Sequence, residues 1–198
     1  MCNLYTQSRS PDEIARIFRE EQMVLRFPEG IPNLQPRDIR ITDPGPIVRA
    51  CAGPGEDFDL IVRRWSWPGQ SGKPVYNFRS DGREFPGGRC LILADGFYEF
   101  TTPANPKQKR KDRWLFSLPD RGVLGIAGLV RDAPGLGEAF TMLTTQPGPD
   151  VAPYHARQVA LLAKQHWRSW LTYARPAAEL LVPSPARALR VSPANGTA

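Results

Sequence analysis

The chain predicts an α+β fold dominated by β-structure, a strongly bent or barrel-like sheet with peripheral helices. It forms one domain over residues 1–198. Short runs rich in Val, Ile, Leu, Phe and Trp recur about every 10 residues. Between them fall 21 prolines and 17 glycines, which break the chain into short segments. Only two or three stretches carry helical periodicity. With 41% hydrophobic residues, including five Trp and nine Phe, 198 residues can bury a sizeable core.

Taken in order, Ser10-Pro11-Asp12-Glu13 is a helix start. Ser10 can cap, Pro11 fits the first turn and Glu13 completes a capping box. Ile14, Ile17 and Phe18, with Met23 beyond, give an apolar stripe for a helix over residues 11–22. Strand candidates follow at Pro46–Cys51 and Phe58–Trp65, then at Arg89–Ala94, whose apolar run reads as buried on both faces. Residues 102–113, basic and bearing proline, read as a hairpin tip. Further strands are expected at 113–118, 122–130, 139–145 and Val159–Ala163. Helices are expected from His166 to Leu171 and over Ala177–Leu181, and residues from about 191 to 198 read as a loose tail.

Composition narrows the function classes. No apolar run approaches the length of a membrane span, and no basic segment followed by an apolar one opens the chain. A cytoplasmic or nucleoid location and no membrane partner are therefore expected. Three cysteines (Cys2, Cys51, Cys90) without C-x-x-C spacing, and two histidines, argue against a disulfide framework or a zinc site. No metal or cofactor is expected. The net charge of +6 is compatible with a polyanionic partner.

Residue 2 carries the chemistry of greatest interest. Cysteine is small enough for the initiator methionine to be removed ahead of it. The mature chain would then present an α-amine and a thiol on adjacent carbons. The amine, with an ordinary pKa of roughly 7.7–8, is partly neutral near pH 7. It can condense with an aldehyde, and the thiol can close on the same carbon as a thiazolidine. On position alone, residue 2 is simply whatever follows the start.

Other stretches add candidates, each also open to a structural reading. In extended chain Asn77 and Arg79 point to one side, an amide beside a guanidinium that can fork onto a phosphate. Glu99 lies among aromatics after a buried strand, where burial would raise its pKa toward neutrality and suit proton transfer. Thr144-Thr145 lead through Pro153 to His155-Ala156-Arg157, which contains one of the two histidines. Arg63-Arg64-Trp65-Ser66-Trp67 could hold a phosphate while stacking a base.

Together these stretches resemble the SOS-response-associated-peptidase (SRAP) family, in order from Met1-Cys2 to Arg190-Val191-Ser192-Pro193. The most specific segments are Arg89-Cys90 with Ala94-Asp95-Gly96-Phe97-Tyr98-Glu99. Next are Ala127-Gly128-Leu129, Phe140–Thr145 and Ala152-Pro153-Tyr154-His155-Ala156-Arg157. The resemblance implies a β-rich fold that shields abasic sites in single-stranded DNA through a thiazolidine to the N-terminal cysteine. Carried onto this chain, it makes Cys2 the nucleophile and Asn77 a group positioning the sugar or the cysteine amine. Glu99 becomes the proton carrier for ring closure and reversal, and His155 the acid/base on the deoxyribose hydroxyl. Arg79 and Arg157 would hold phosphates, while Trp65 or Trp67, Phe100 and Thr145 would line the DNA path. The peptidase label fits autocatalytic removal of residue 1. This chain departs from the family at Leu4 (often Arg), Phe78 (usually small), Phe100 (commonly Trp), Gln158-Val159 (frequently Met-Pro) and around Trp65.

Three readings follow. The first is a monomeric abasic-site sensor forming covalent DNA adducts. The second is an N-terminal-nucleophile hydrolase of amide bonds, with Cys2 attacking and the α-amine or His155 as base. The third is a non-catalytic nucleic-acid binder whose affinity depends on salt but not on Cys2.

Overall fold

Ser10 begins the first helix as its sequence demands. In the computed structural model, which describes residues 2–51, 57–105 and 107–194, its hydroxyl accepts the Glu13 N–H at 3.3 Å. The Glu13 carboxylate in return accepts the Ser10 N–H at 2.8 Å. Helix α1 (Pro11–Glu20) follows strand β1 (Leu4–Gln7) and buries Ile14, Ile17 and Phe18. It ends two residues before the expected boundary, because Gln22 adopts a left-handed backbone with φ of 58°.

The strands then follow in chain order: β2 (Leu25–Arg26), β3 (Arg37–Arg40), β4 (Pro44–Ala50), β5 (Phe58–Trp65), β6 (Trp67–Pro68), β7 (Pro74–Val75) and β8 (Asn77–Arg79). Next come β9 (Arg89–Ala94), β10 (Gly96–Thr101), β11 (Asp112–Ser117), β12 (Leu124–Ala133), β13 (Gly137–Thr145), β14 (Gln158–Val159) and β15 (Leu161–Leu162). Short helices α2 (Trp167–Leu171) and α3 (Ala177–Leu180) precede β16 (Arg190–Pro193).

Five of these strands close a barrel. β13, β12, β9, β4 and β5 pair in that order, and β5 returns to β13 in parallel through Arg64↔Ala139 and Trp65↔Phe140. A second sheet, ordered β16-β11-β10-β1-β3, packs against it. Alternation divides the barrel side chains between two cores. Ile47, Ile61, Cys90, Ile92, Ile126 and Phe140 join one that includes Cys2, Tyr5 and Phe97, whereas Val48, Leu60, Leu91, Leu93 and Leu143 meet the helices in the other. β9 is buried on both faces, which explains its unbroken apolar run.

Small residues let these layers approach. A Cβ on Gly128 would lie 2.7 Å from the Thr141 carbonyl oxygen and 2.3 Å from Ile92. The carbonyl belongs to a paired strand and cannot withdraw. Gly128→Ala is therefore expected to cost about 1–3 kcal/mol of stability, read as a lowered urea midpoint.

Some expectations require correction. Val159–Ala163 is two short strands, because Ala160 breaks the ladder to bond both Leu143 and Ala127. The tail from residue 191 is not loose over its first residues. Val191, Ser192 and Pro193 belong to β16, paired with β11 from Trp114 to Phe116. Strands β1 and β3 were not anticipated.

Candidate active site

The site is built where β1 enters the second sheet between β3 and β10. Asp95, at the bend between β9 and β10, fixes that entry. Its carboxylate accepts the Ser8 N–H at 2.5 Å, the Ser8 hydroxyl at 2.7 Å and Arg9 Nε–H at 2.8 Å, while its own N–H donates to Thr6 O at 2.9 Å. The register Thr6↔Gly96 and Tyr5↔Phe97, continued two residues further, sets Asn3 opposite Glu99. The start of the chain thus runs past the carboxylate that the sequence marked for proton transfer.

Cys2 is 1% exposed, and its thiol donates to Leu4 O at 3.3 Å. Burial, reinforced by the charge of Glu99, pushes the thiol up to about 12. Asn77, at the start of β8, donates from Nδ2 to the Cys2 carbonyl oxygen at 2.7 Å. β8 reaches this place because it pairs in parallel with β13, Asn77 against Met142 and Arg79 against Thr144. Glu99 is also 1% exposed. Burial raises its carboxyl to about 7, a rise opposed first by the charge of the amino terminus and then by the Cys2 backbone N–H bonded to it. Cys2, Asn77 and Glu99 are therefore assembled directly.

His155 stands on the adjoining turn. Its neighbour Tyr154 packs on Trp114 at 4.9 Å between ring centroids, and Trp114 pairs with Glu99 across β10 and β11. His155 Nδ1 lies 2.9 Å from Arg157 N and 3.1 Å from Arg157 O. Nδ1 can accept from the N–H or donate to the carbonyl, so either neutral tautomer is supported and Nε2 can present a proton or a lone pair. Burial lowers the pKa of His155, which keeps the ring neutral near pH 7.

The profile of the SOS response associated peptidase (SRAP) family matches residues 1–196. The chain belongs to that family. Solved structures share its fold. A protein from Bordetella bronchiseptica, 22% identical, superposes with a TM-score of 0.71 over 98% of this chain and 100% of its own. One from Bacteroides thetaiotaomicron, 17% identical, gives 0.72 over 98% and 92%. A phage-related protein from Bordetella bronchiseptica, 21% identical, gives 0.71 over 98% and 95%. No curated protein matches.

In this SRAP chain several residues expected on a DNA path are occupied elsewhere. Trp65 is 0% exposed, donates Nε1–H to Tyr76 O at 2.9 Å and meets Tyr5 and Tyr76 edge-on, so no ring face is left for a base. Trp67 is 4% exposed and covered by the Arg131 guanidinium at 4.1 Å. Both tryptophans are core residues. Arg157 is buried and committed to Asp81 at 2.6 Å and to Thr144 O at 2.7 Å, so it fastens the His155 turn to β13 rather than presenting a free guanidinium. Thr145 is buried and donates its hydroxyl proton to Gln146 O at 2.8 Å. Arg79 is exposed at the end of β8, and half-buried Phe100 lies on the rim beside Asn3.

Two site-building residues had no sequence signal for their role. Asp81 is the partner of Arg157, and Asp95 clamps Ser8 and Arg9; both pairings span parts of the chain far apart in sequence. Asn77→Ala, which removes the hold on the Cys2 carbonyl, is expected to slow any reaction at Cys2 by about 10–100-fold. Thermal stability should change little, since half-buried Asn77 lies at the start of a three-residue strand. Single-turnover kinetics beside a melting curve would separate the two effects.

Proposed function

We propose that this SRAP-family protein captures abasic sites in single-stranded DNA as a thiazolidine on Cys2 once residue 1 is removed. The observation that carries the reading is the placement of Cys2 between the Asn77 amide on its carbonyl and a buried Glu99 whose pKa is about 7.

The chemistry balances with these groups alone. The freed α-amine of Cys2 attacks the aldehyde carbon of the ring-opened deoxyribose, and the resulting carbinolamine loses water to give a Schiff base. The thiol then adds across the C=N bond. Sulfur bonds to carbon, the sulfhydryl proton leaves and nitrogen gains a proton, so the net products are thiazolidine and one water. A thiol at about 12 is ionised in only about one molecule in 10⁵ at pH 7. Its proton must therefore be removed as the C–S bond forms. Glu99, ionised in half the molecules near pH 7, is suited to take that proton and return one to nitrogen. Asn77 holds the Cys2 carbonyl and so fixes the backbone from which both nucleophiles project. The neutral His155 ring offers Nε2 to the deoxyribose hydroxyl, where it assists ring opening.

The experiment is direct. Purified protein incubated with a single-stranded oligonucleotide bearing one abasic site should give a slower band on a denaturing gel. An intact oligonucleotide, or one whose aldehyde has been reduced to the alcohol, should give none. Equal adduct with the reduced site would sink the proposal.

The family's peptidase description favours a second reading, in which the Cys2 thiol attacks an amide, including the bond that releases residue 1. It predicts turnover of a peptide supplied in trans, which thiazolidine formation does not.

A further inference from the structure

The chain beyond α3 runs Val182-Pro183-Ser184-Pro185, and its prolines remove two of the N–H donors that a sheet ladder needs. It is fastened at fixed points instead. Ser184 Oγ accepts Gln158 Nε2–H at 2.6 Å, and the Asp150 carboxylate accepts the Arg187 and Leu189 N–H groups, each at 2.9 Å. Held in this way, the segment walls a cavity of about 370 Å³ against the start of β12, β15 and the end of α3. Val123, Leu124, Leu162, Leu180 and Leu189 give it an apolar lining. None of Cys2, Asn77, Glu99 and His155 borders it. Two of its polar groups are donors without a partner. Lys164 is half-buried and, among the described residues, makes no hydrogen bond or ion pair. His166 Nδ1 lies 3.4 Å from Arg175 Nη1. A guanidinium only donates, so Nδ1 accepts and the ring proton sits on Nε2. That Nε2–H also has no partner among the described residues. No acidic residue is among those lining the cavity.

We propose that this cavity is a second ligand site, which binds a small carboxylic acid with an apolar tail, its carboxylate on Lys164 and His166. The tail lies along Leu124, Leu162 and Leu180. An ammonium and an N–H together satisfy both carboxylate oxygens, and bonds to a charged acceptor are the stronger kind. An apolar lining alone would admit any hydrocarbon. The two unpaired donors select an anion, because an uncharged ligand would cover them without replacing their water. A volume of about 370 Å³ is at the lower end of small-ligand sites and suits an acid of about eight to ten carbons. A peptide fits less well. The strand in the lining, β15, is two residues long, too short an edge for an extended chain to add to as a strand. The site is separate from the Cys2 centre, and its ligand does not depend on the capture of DNA.

The test is a titration of the full chain, followed through its backbone amide signals by NMR, with octanoate and with 1-octanol as the uncharged counterpart. Octanoate is expected to shift the amides of Leu124, Gly125, Leu162 and Leu180 along one saturable curve, with a dissociation constant below about 1 mM. 1-Octanol should bind about tenfold more weakly, having no charge for the two donors. Lys164→Met keeps most of the side-chain stem and removes the ammonium. It should weaken octanoate about tenfold and leave 1-octanol unchanged. The same spectra show that the variant is folded. Absence of a saturable shift at these amides up to about 10 mM octanoate would overturn the site. Equal affinity for octanoate and 1-octanol, or wild-type affinity for octanoate in Lys164→Met, would overturn recognition of the carboxylate and with it the proposal.

Discussion

Cys2→Ala abolishes covalent capture of abasic single-stranded DNA, lowering adduct yield by at least about 10³-fold, while non-covalent binding to the same strand stays within a factor of two to three. Cys2→Ser should be almost as inactive. Serine keeps the α-amine, so it can still form a Schiff base that borohydride traps, but its hydroxyl is a much weaker nucleophile than the thiol for closing the ring. Alanine keeps the α-amine as well, so in either variant borohydride trapping reports the amine step and the loss of untrapped adduct reports the thiol step. Neither Cys51 nor Cys90 can substitute, because an internal cysteine has no free amine on the adjoining carbon. Loss of Cys2 is also structurally mild. It removes one small buried side chain and a weak bond to Leu4 O, so the fold survives with a modest drop in melting temperature. Full adduct yield from Cys2→Ala would transfer the chemistry to another residue, and gel analysis with phosphor-labelled DNA measures it.

Glu99→Gln has the second-largest effect. As the group that takes the thiol proton, Glu99 is worth about 10²–10³ in rate. Its pKa of about 7 gives the wild-type rate a limb that rises with pH and levels above neutrality. The α-amine, with an ordinary pKa of roughly 7.7–8, contributes its own rise in both proteins. The ratio of wild type to Glu99→Gln isolates the carboxylate: it should climb through about pH 7 and then stay flat. A stability change of known sign accompanies it. Between the ordinary carboxyl range and about 7, folded Glu99 holds a proton that the unfolded chain has lost. Wild-type stability therefore declines as pH rises through that window, by on the order of 3 kcal/mol. Glutamine cannot ionise and escapes this cost. Glu99→Gln should thus melt higher than wild type at pH 8 and nearly equal to it at pH 4. A lower melting temperature at pH 8 would contradict a buried carboxylate at this position.

What the sequence disclosed depended on how local each signal was. The capping box of α1 lies within four residues, and the apolar run of β9 is continuous because buried neighbours flank it on both sides. These could be read directly. β1 and β3 could not, since Leu-Tyr-Thr-Gln and Arg-Asp-Ile-Arg are short and partly polar, and only their pairing makes them strands. The reactive residues were recognisable by type. Their assembly was not, because the Asn77–Cys2 bond joins positions 75 apart and Arg157 meets Asp81 across the fold. Trp65 and Trp67 misled for a related reason. An aromatic beside arginines has the composition of a nucleic-acid platform, but burial is set by strands that close the barrel far along the chain.

Mass analysis of the amino-terminal peptide after reaction with abasic DNA tests the central claim most directly. After nuclease digestion, the peptide should lack residue 1 and carry the deoxyribose remnant on Cys2, with both thiol and amine closed to alkylation and acylation. Cys51 and Cys90 should remain unmodified. An adduct on a lysine, or a reacted Cys2 still preceded by methionine, would contradict thiazolidine capture at this site.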